Sequence, residues 1–131
     1  MRTPPRLTSA QLALLKVLWT RGEATASEVQ QAIHSDRPTA FTTVATQLSR
    51  LARRGIVAHR VQGRQYIYRA VLTESDARAQ ALGDVTEGHF EGDIATLVSQ
   101  LLSSRDIRRG DLARVKALIE AKERELKGRR S

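Results

Sequence analysis

The stretch TAFTTVATQLSRLARRGIVAHRVQGRQYIYR, residues 39 to 69, changes its hydrophobic period partway, and this restricts the fold more than any other feature of the chain. Up to Gly55 the apolar residues recur at helical spacing; beyond it lie two short runs rich in Val, Ile and Tyr. At about 100° per residue, Val44, Leu48 and Leu51 fall within roughly 60° of one another on one side of a helix. Thr42, Thr43, Thr46, Ser49, Arg50 and Arg53 gather on the other side. Small hydroxyls beside arginines form a surface that can lie close to a duplex. Threonine can touch base edges or a thymine methyl, and arginine can reach guanine or phosphate. A solvated face is the ordinary reading of any polar helix side, so the DNA reading needs support from elsewhere.

That support comes from the hairpin and from charge. Strands are expected over residues 56–60 and 65–69, joined through Gln62, Gly63 and Arg64, with Arg60 and Arg64 putting charge at the tip. The formal charge is +8, and the excess lies wholly in residues 1–71, where eleven Lys/Arg face three Asp/Glu. Residues 72–131 carry eleven of each. Segregation of this kind points to a polyanion as partner of the first half, with affinity that falls as salt rises.

Upstream, two further helices are expected. Thr8 with Gln11 and Thr25 with Glu28 are capping-box pairs. Leu12, Leu15, Leu18 and Trp19 follow the first, and Gly22 ends it. Val29, Ala32 and Ile33 follow the second, which Pro38 terminates by disfavouring helical geometry at Arg37. Thr39 is the expected cap of the third helix and Gly55 its C′ residue. Three helices followed by a hairpin is the order of a winged helix-turn-helix. The expected class is therefore mostly α with a small β wing, residues 1–71 forming the DNA-binding domain. Residues 1–7 read as a loose arm and the final GRRS as a frayed end.

Residues 72–131 read as a fourth helix opened by Thr73 and Asp76, interrupted or bent near Gly83, Gly88 or Gly92, and a last helix from near Gly110 to Lys127. Phe90, Ile94, Leu97, Val98 and Leu101 on the former, with Val115, Leu118 and Ile119 on the latter, form apolar stripes. Two helices make too small a core to stand alone, and stripes of that strength mark an interaction surface. Neutral charge favours close approach of a second copy, so a helical dimerisation region is expected, closed by symmetry. Two recognition helices would then address two half-sites.

With no cysteine, disulfides, thiolate metal sites and cysteine nucleophiles are excluded. No apolar run approaches a membrane span, and no apolar segment follows the basic N-terminus as in a secretory signal; a cytoplasmic protein without membrane attachment is expected. His34, His59 and His89 lack metal-ligand spacing. Glu87, Glu91 and Asp93 read as a solvated face. With no phosphate loop and no nucleophile beside a base, neither enzyme nor cofactor is expected. Two other readings stand beside sequence-specific repression: a winged-helix protein binding RNA or chromosomal DNA non-specifically, and a protein-docking module. The polar face, with only Phe41 near its edge as an apolar anchor, argues against the last.

The blocks LTSAQLALLKVLW, TAFTTVATQLSRLARRGIV and GRQYIY, within a likeness running from about Leu7 to Leu126, resemble the penicillinase-repressor family of methicillin-resistance and copper-responsive repressors. The resemblance implies a homodimeric winged-helix transcriptional repressor that binds an operator dyad in double-stranded DNA and silences antibiotic-resistance or metal-homeostasis genes. Thr42, Thr43 and Thr46 match base-contacting positions, Arg50 a basic position, and Arg64 after Gly63 the wing; Arg53, Arg54 and Arg60 complete the expected DNA-binding set. Copper-responsive members carry a C-terminal cysteine cluster, and its absence here excludes thiolate sensing. Resistance repressors are inactivated by a sensor protease that cuts an Asn–Phe bond; the corresponding bond is Gln100–Leu101, so a protease acting here would need another specificity.

Overall fold

The computed structural model describes residues 6–104 and 106–129. Residues 1–5 of the arm expected over residues 1–7, and the last two residues of the expected frayed end, lie outside the described residues. Packing divides the chain between Asp84 and Val85 into two compact units.

In the first unit, α1 (Ser9–Arg21), β1 (Ala24–Thr25), α2 (Ala26–Ile33), α3 (Phe41–Arg53), β2 (Val57–Gln62) and β3 (Gln65–Ala70) precede α4 (Glu74–Phe90), which begins there. Both capping boxes form. The Thr8 hydroxyl accepts from the Gln11 N–H at 3.1 Å, and the Gln11 side chain accepts from the Thr8 N–H at 3.0 Å. Thr25 and Glu28 repeat the arrangement at 3.1 and 2.8 Å. Gly22, at φ 88°, closes α1 by donating to the Leu18 carbonyl at 2.8 Å.

The core lies where the three helices meet the sheet. Leu15, Leu18, Val29, Val44, Leu48, Leu51 and Val57 are its fully buried side chains. Leu12, expected on the apolar stripe of α1, is only half-buried, and Leu14 takes the buried place. Trp19 packs at the margin of the core, and its indole N–H donates to the Leu72 carbonyl at 2.9 Å, tying α1 to the segment that leaves the sheet. Burial of this many aliphatic side chains, at about 1.5–3 kcal/mol each, is what a unit this small needs to stand by itself.

Two expectations are corrected here. Thr39 does not cap α3. The N-cap is Ala40, without a side-chain hydrogen bond, because the Thr39 hydroxyl donates instead to the Arg37 carbonyl at 2.9 Å. The sheet has three strands in the order β1-β3-β2, not two. Ala24 and Thr25 pair antiparallel with Tyr68 and Ile67, and two residues carry no periodic signal by which a strand could be read. The β2–β3 hairpin closes on Gln62 opposite Gln65, so its turn is Gly63–Arg64 alone. Gly63 holds φ 64° while Arg64 does not, as a glycine-first hairpin turn requires.

The second unit takes in the end of α4, then α5 (Ile94–Ser104) and α6 (Arg109–Arg129). Gly83 and Gly88 remain inside α4; the expected interruption falls at Glu91 and Gly92, with φ 51° and 80°. Asp93 then starts α5, its carboxylate accepting from the Thr96 N–H at 3.2 Å and hydroxyl at 2.7 Å. Of the residues expected at a dimer interface, only Leu97 is buried within the chain; Phe90 and Val98 are half-buried. Ile94, Leu101, Val115, Leu118 and Ile119 are exposed, and α6 has no buried residue along its length.

Candidate nucleic-acid interface

Helix α3 is set in place by its apolar side, where Val44, Leu48 and Leu51 are wholly buried. Every residue of the polar side that the sequence singled out is exposed: Thr42, Thr43, Thr46, Ser49, Arg50 and Arg53. The helix cannot rotate this side inward without dismantling the core. A further hold comes from Gln11, a buried polar residue of α1, whose side-chain amide donates to the Gln47 side-chain oxygen at 3.4 Å. The preceding turn is ordered as well, since the Gln30 amide donates to the Thr39 carbonyl at 3.1 Å.

The C-terminal end of α3 leads into the wing through a Schellman motif. The Gly55 N–H donates to the Ala52 carbonyl at 3.1 Å and the Ile56 N–H to the Leu51 carbonyl at 3.0 Å. Gly55 adopts the required left-handed conformation at φ 77°. The hairpin then carries Arg64 out on its exposed turn. On one side of the hairpin, His59 stacks on Tyr66 with ring centroids 4.2 Å apart, and Tyr68 meets both rings at wider angles. Tyr68 is the buried member, and burial, with Tyr66 beside it, raises its phenol above the usual range.

The basic residues divide into free and engaged ones. Arg50, Arg53 and Arg64 have no side-chain partner among the described residues, so their charge is open to an outside ligand. Arg54 donates to the Arg6 carbonyl at 3.3 Å. Arg60, expected at the wing tip, stands opposite Ile67 in mid-strand, and its guanidinium grips the Glu23 carboxylate at 2.7 and 3.3 Å. That pairing lowers the Glu23 carboxyl and raises Arg60, the hydrogen bond between them being the largest cause in each case. Glu28 is lowered too, chiefly by its hydrogen bond to the Thr25 backbone.

Neither Glu23 nor Gln47 was legible as part of the site. Glu23 is an isolated acid in a loop, and its partner stands 37 positions away. Among the described residues there is no group of three or more His, Asp or Glu able to hold a metal ion. Nor is any helix among them long and apolar enough to cross a membrane.

The sequence profile of the family described as penicillinase repressor matches residues 7–121. The penicillinase repressor of Bacillus licheniformis is 22% identical over 120 residues, covering 92% of this chain and 94% of that protein. The transcriptional regulator BlaI of Mycobacterium tuberculosis (strain CDC 1551 / Oshkosh) is 34% identical over 89 residues, or 60% of this chain and 64% of its own. Among solved structures, that of the DNA-binding domain of the repressor BlaI matches with a TM-score of 0.51 and 29% identity, covering 58% of this chain and 93% of the domain. The winged helix with its exposed Thr/Arg face and the match along most of the sequence lead to one assignment: this chain belongs to the penicillinase-repressor family.

Proposed function

We propose that this protein is a homodimeric, sequence-specific transcriptional repressor that binds an operator dyad in double-stranded DNA in the cytoplasm. Helix α3 enters the major groove, where Thr42, Thr43 and Thr46 meet base edges or thymine methyls and Arg50 reaches guanine or phosphate. Arg53 and Arg64 engage the backbone on either side, positioning the reading head without contributing sequence information. The observation that carries this reading is the exposed threonine and arginine face of α3, with Arg50 and Arg53 unneutralised directly opposite a buried aliphatic face. The uncapped start of α3 adds to it, since the backbone N–H groups of its first turn have no side-chain acceptor and suit a phosphate.

Residues 72–131 serve as the dimerisation region in this proposal, with residues 1–71 as the DNA-binding part. The support is the exposed apolar series on α5 and α6, from Ile94 and Leu101 to Leu118 and Ile119. A 21-residue helix with nothing buried lacks the tertiary packing that supplies most helical stability in proteins; a second copy would supply it. Two linked modules bind a two-half-site operator far more tightly than either alone. Severing or loosening α5 would therefore relieve repression. A sensor protease of suitable specificity could do so at Gln100–Leu101, although the bond lies inside a helix and must be locally unwound first.

Selection of bound fragments from genomic DNA, followed by titration across salt, tests the reading. A repeated dyad and strongly salt-dependent affinity are expected. Equal binding to every duplex, or preference for RNA, would overturn sequence-specific repression.

A further inference from the structure

We propose that Glu23 is a positioning residue for DNA binding, which sets the wing relative to α3 by holding Arg60. The proposal rests on the DNA-binding reading of α3 and the wing. All three nitrogens of the Arg60 guanidinium are occupied: Nε and Nη2 donate to the two Glu23 oxygens at 3.3 and 2.7 Å, and Nη1 donates to the Gln62 side-chain oxygen at 2.8 Å. Three of its five N–H donors are thereby engaged, and the Glu23 carboxylate beside it opposes the approach of a phosphate. In this proposal Arg60 therefore acts first inside the protein.

Its place in the sheet explains what it holds. Glu23 directly precedes β1, Arg60 lies on β2, and β3 runs between them. The ion pair thus staples the two outer strands across the central one. β1 pairs with β3 only at Ala24↔Tyr68 and Thr25↔Ile67, and Ile67 is also the partner of Arg60. At that row the sheet narrows from three strands to two. Beyond it the hairpin projects without a third strand, with Val61 63% and Tyr66 50% exposed. Together with the His59–Tyr66–Tyr68 ring cluster, the clamp is a side-chain tie between the body of the domain and the projecting tip that carries Arg64. A two-stranded hairpin alone is marginal in water, so a tie at its base bears on where the tip stands.

The two possible roles of Arg60 differ in the sign of a single substitution. Glu23→Gln removes a negative charge close to the DNA and, if Arg60 contacted phosphate, would free a cation to bind; affinity would rise. If Glu23 positions the wing, affinity falls, by about two- to fivefold given the exposure of the pair. The salt slope then stays as in the wild type, because no phosphate contact is lost. The experiment is a titration of full-length wild type, Glu23→Gln, Arg60→Gln and the charge-swapped Glu23→Arg/Arg60→Glu chain against a duplex selected by the wild type, at several salt concentrations. Expected are losses in both single variants, an unchanged slope, and recovery to within about twofold in the swapped chain. Unchanged or tighter binding by Glu23→Gln, or a slope lowered by about one in Arg60→Gln, would overturn the proposal. Amide hydrogen exchange without DNA supplies a separate readout: Glu23→Gln should speed exchange over residues 61–66 and leave α3 as it was. Faster exchange at the tip in a chain whose wild type shows no duplex binding would mean that the clamp exists and the DNA reading is wrong. Unaltered exchange would mean that there is no clamp.

Discussion

The Ile56 N–H donates to the Leu51 carbonyl at 3.0 Å, joining the last buried residue of α3 to the residue that leads into the wing. Both side chains sit in the core, so the helix and the hairpin are fixed to one another by backbone and by packing at a single corner. Gly55 makes the corner possible.

A β-carbon at Gly55 would meet nothing within 4 Å, yet the backbone stands at φ 77°. Gly55→Ala should therefore cost about 1–2 kcal/mol from left-handed strain alone, visible as a lower urea midpoint with an unchanged slope. A midpoint at or above that of the wild type would mean that the corner is not the strained element it is taken to be.

Arg64→Ala should weaken binding by a similar factor on all duplexes and lower the salt slope by about one. Altered sequence preference with an intact slope would instead make the wing a reader of bases.

Leu101, 46% exposed within one chain, is expected to be covered by a second copy. Leu101→Asp would place an unpaired carboxylate there, at a cost of at least several kcal/mol. Sedimentation should report a monomer whose winged-helix unit stays folded, and operator titration a collapse of affinity. A monomer that kept full affinity would show that dimerisation does not hold the protein on its site.

Acid should loosen the helix starts. The folded Glu28 carboxyl lies below its ordinary 4.5, lowered first by the Thr25 backbone hydrogen bond; Asp93 lies below 3.8 because of Thr96. A lowered carboxyl contributes stability that is complete above its ordinary value and lost as pH falls through the folded one. Helical circular dichroism and urea stability should thus decline below about pH 4. Glu28→Gln, which keeps the capping-box acceptor but cannot titrate, should lose less in acid than the wild type. An identical acid profile would remove Glu28 from the account.

What could be read from sequence was what depends on near neighbours. Thr8 with Gln11 and Thr25 with Glu28 close within three positions, and Gly55 follows directly on the helix it ends. The buried side of α3 was legible from Val44, Leu48 and Leu51 because one helix periodicity governs all three. Choices between competing local uses of one residue escaped, as did tertiary partners. Thr39 had two acceptable uses for its hydroxyl and took the Arg37 carbonyl. Of three glycines near α4, only Gly92 broke the helix, beside Glu91 and with Asp93 ready to start the next. The pairing of Arg60 with Glu23 was not legible either, because only the sheet brings the two together.

Whether α3 reads bases in the major groove is decided by competition titration of the wild type and Thr46→Glu on the duplex selected from genomic DNA. Thr46 is exposed on α3, so a carboxylate there leaves the fold and melting temperature intact while opposing the duplex. Loss of all preference for the selected sequence over random competitor is expected in Thr46→Glu. Undiminished preference would contradict this reading of α3 and remove it from the major groove.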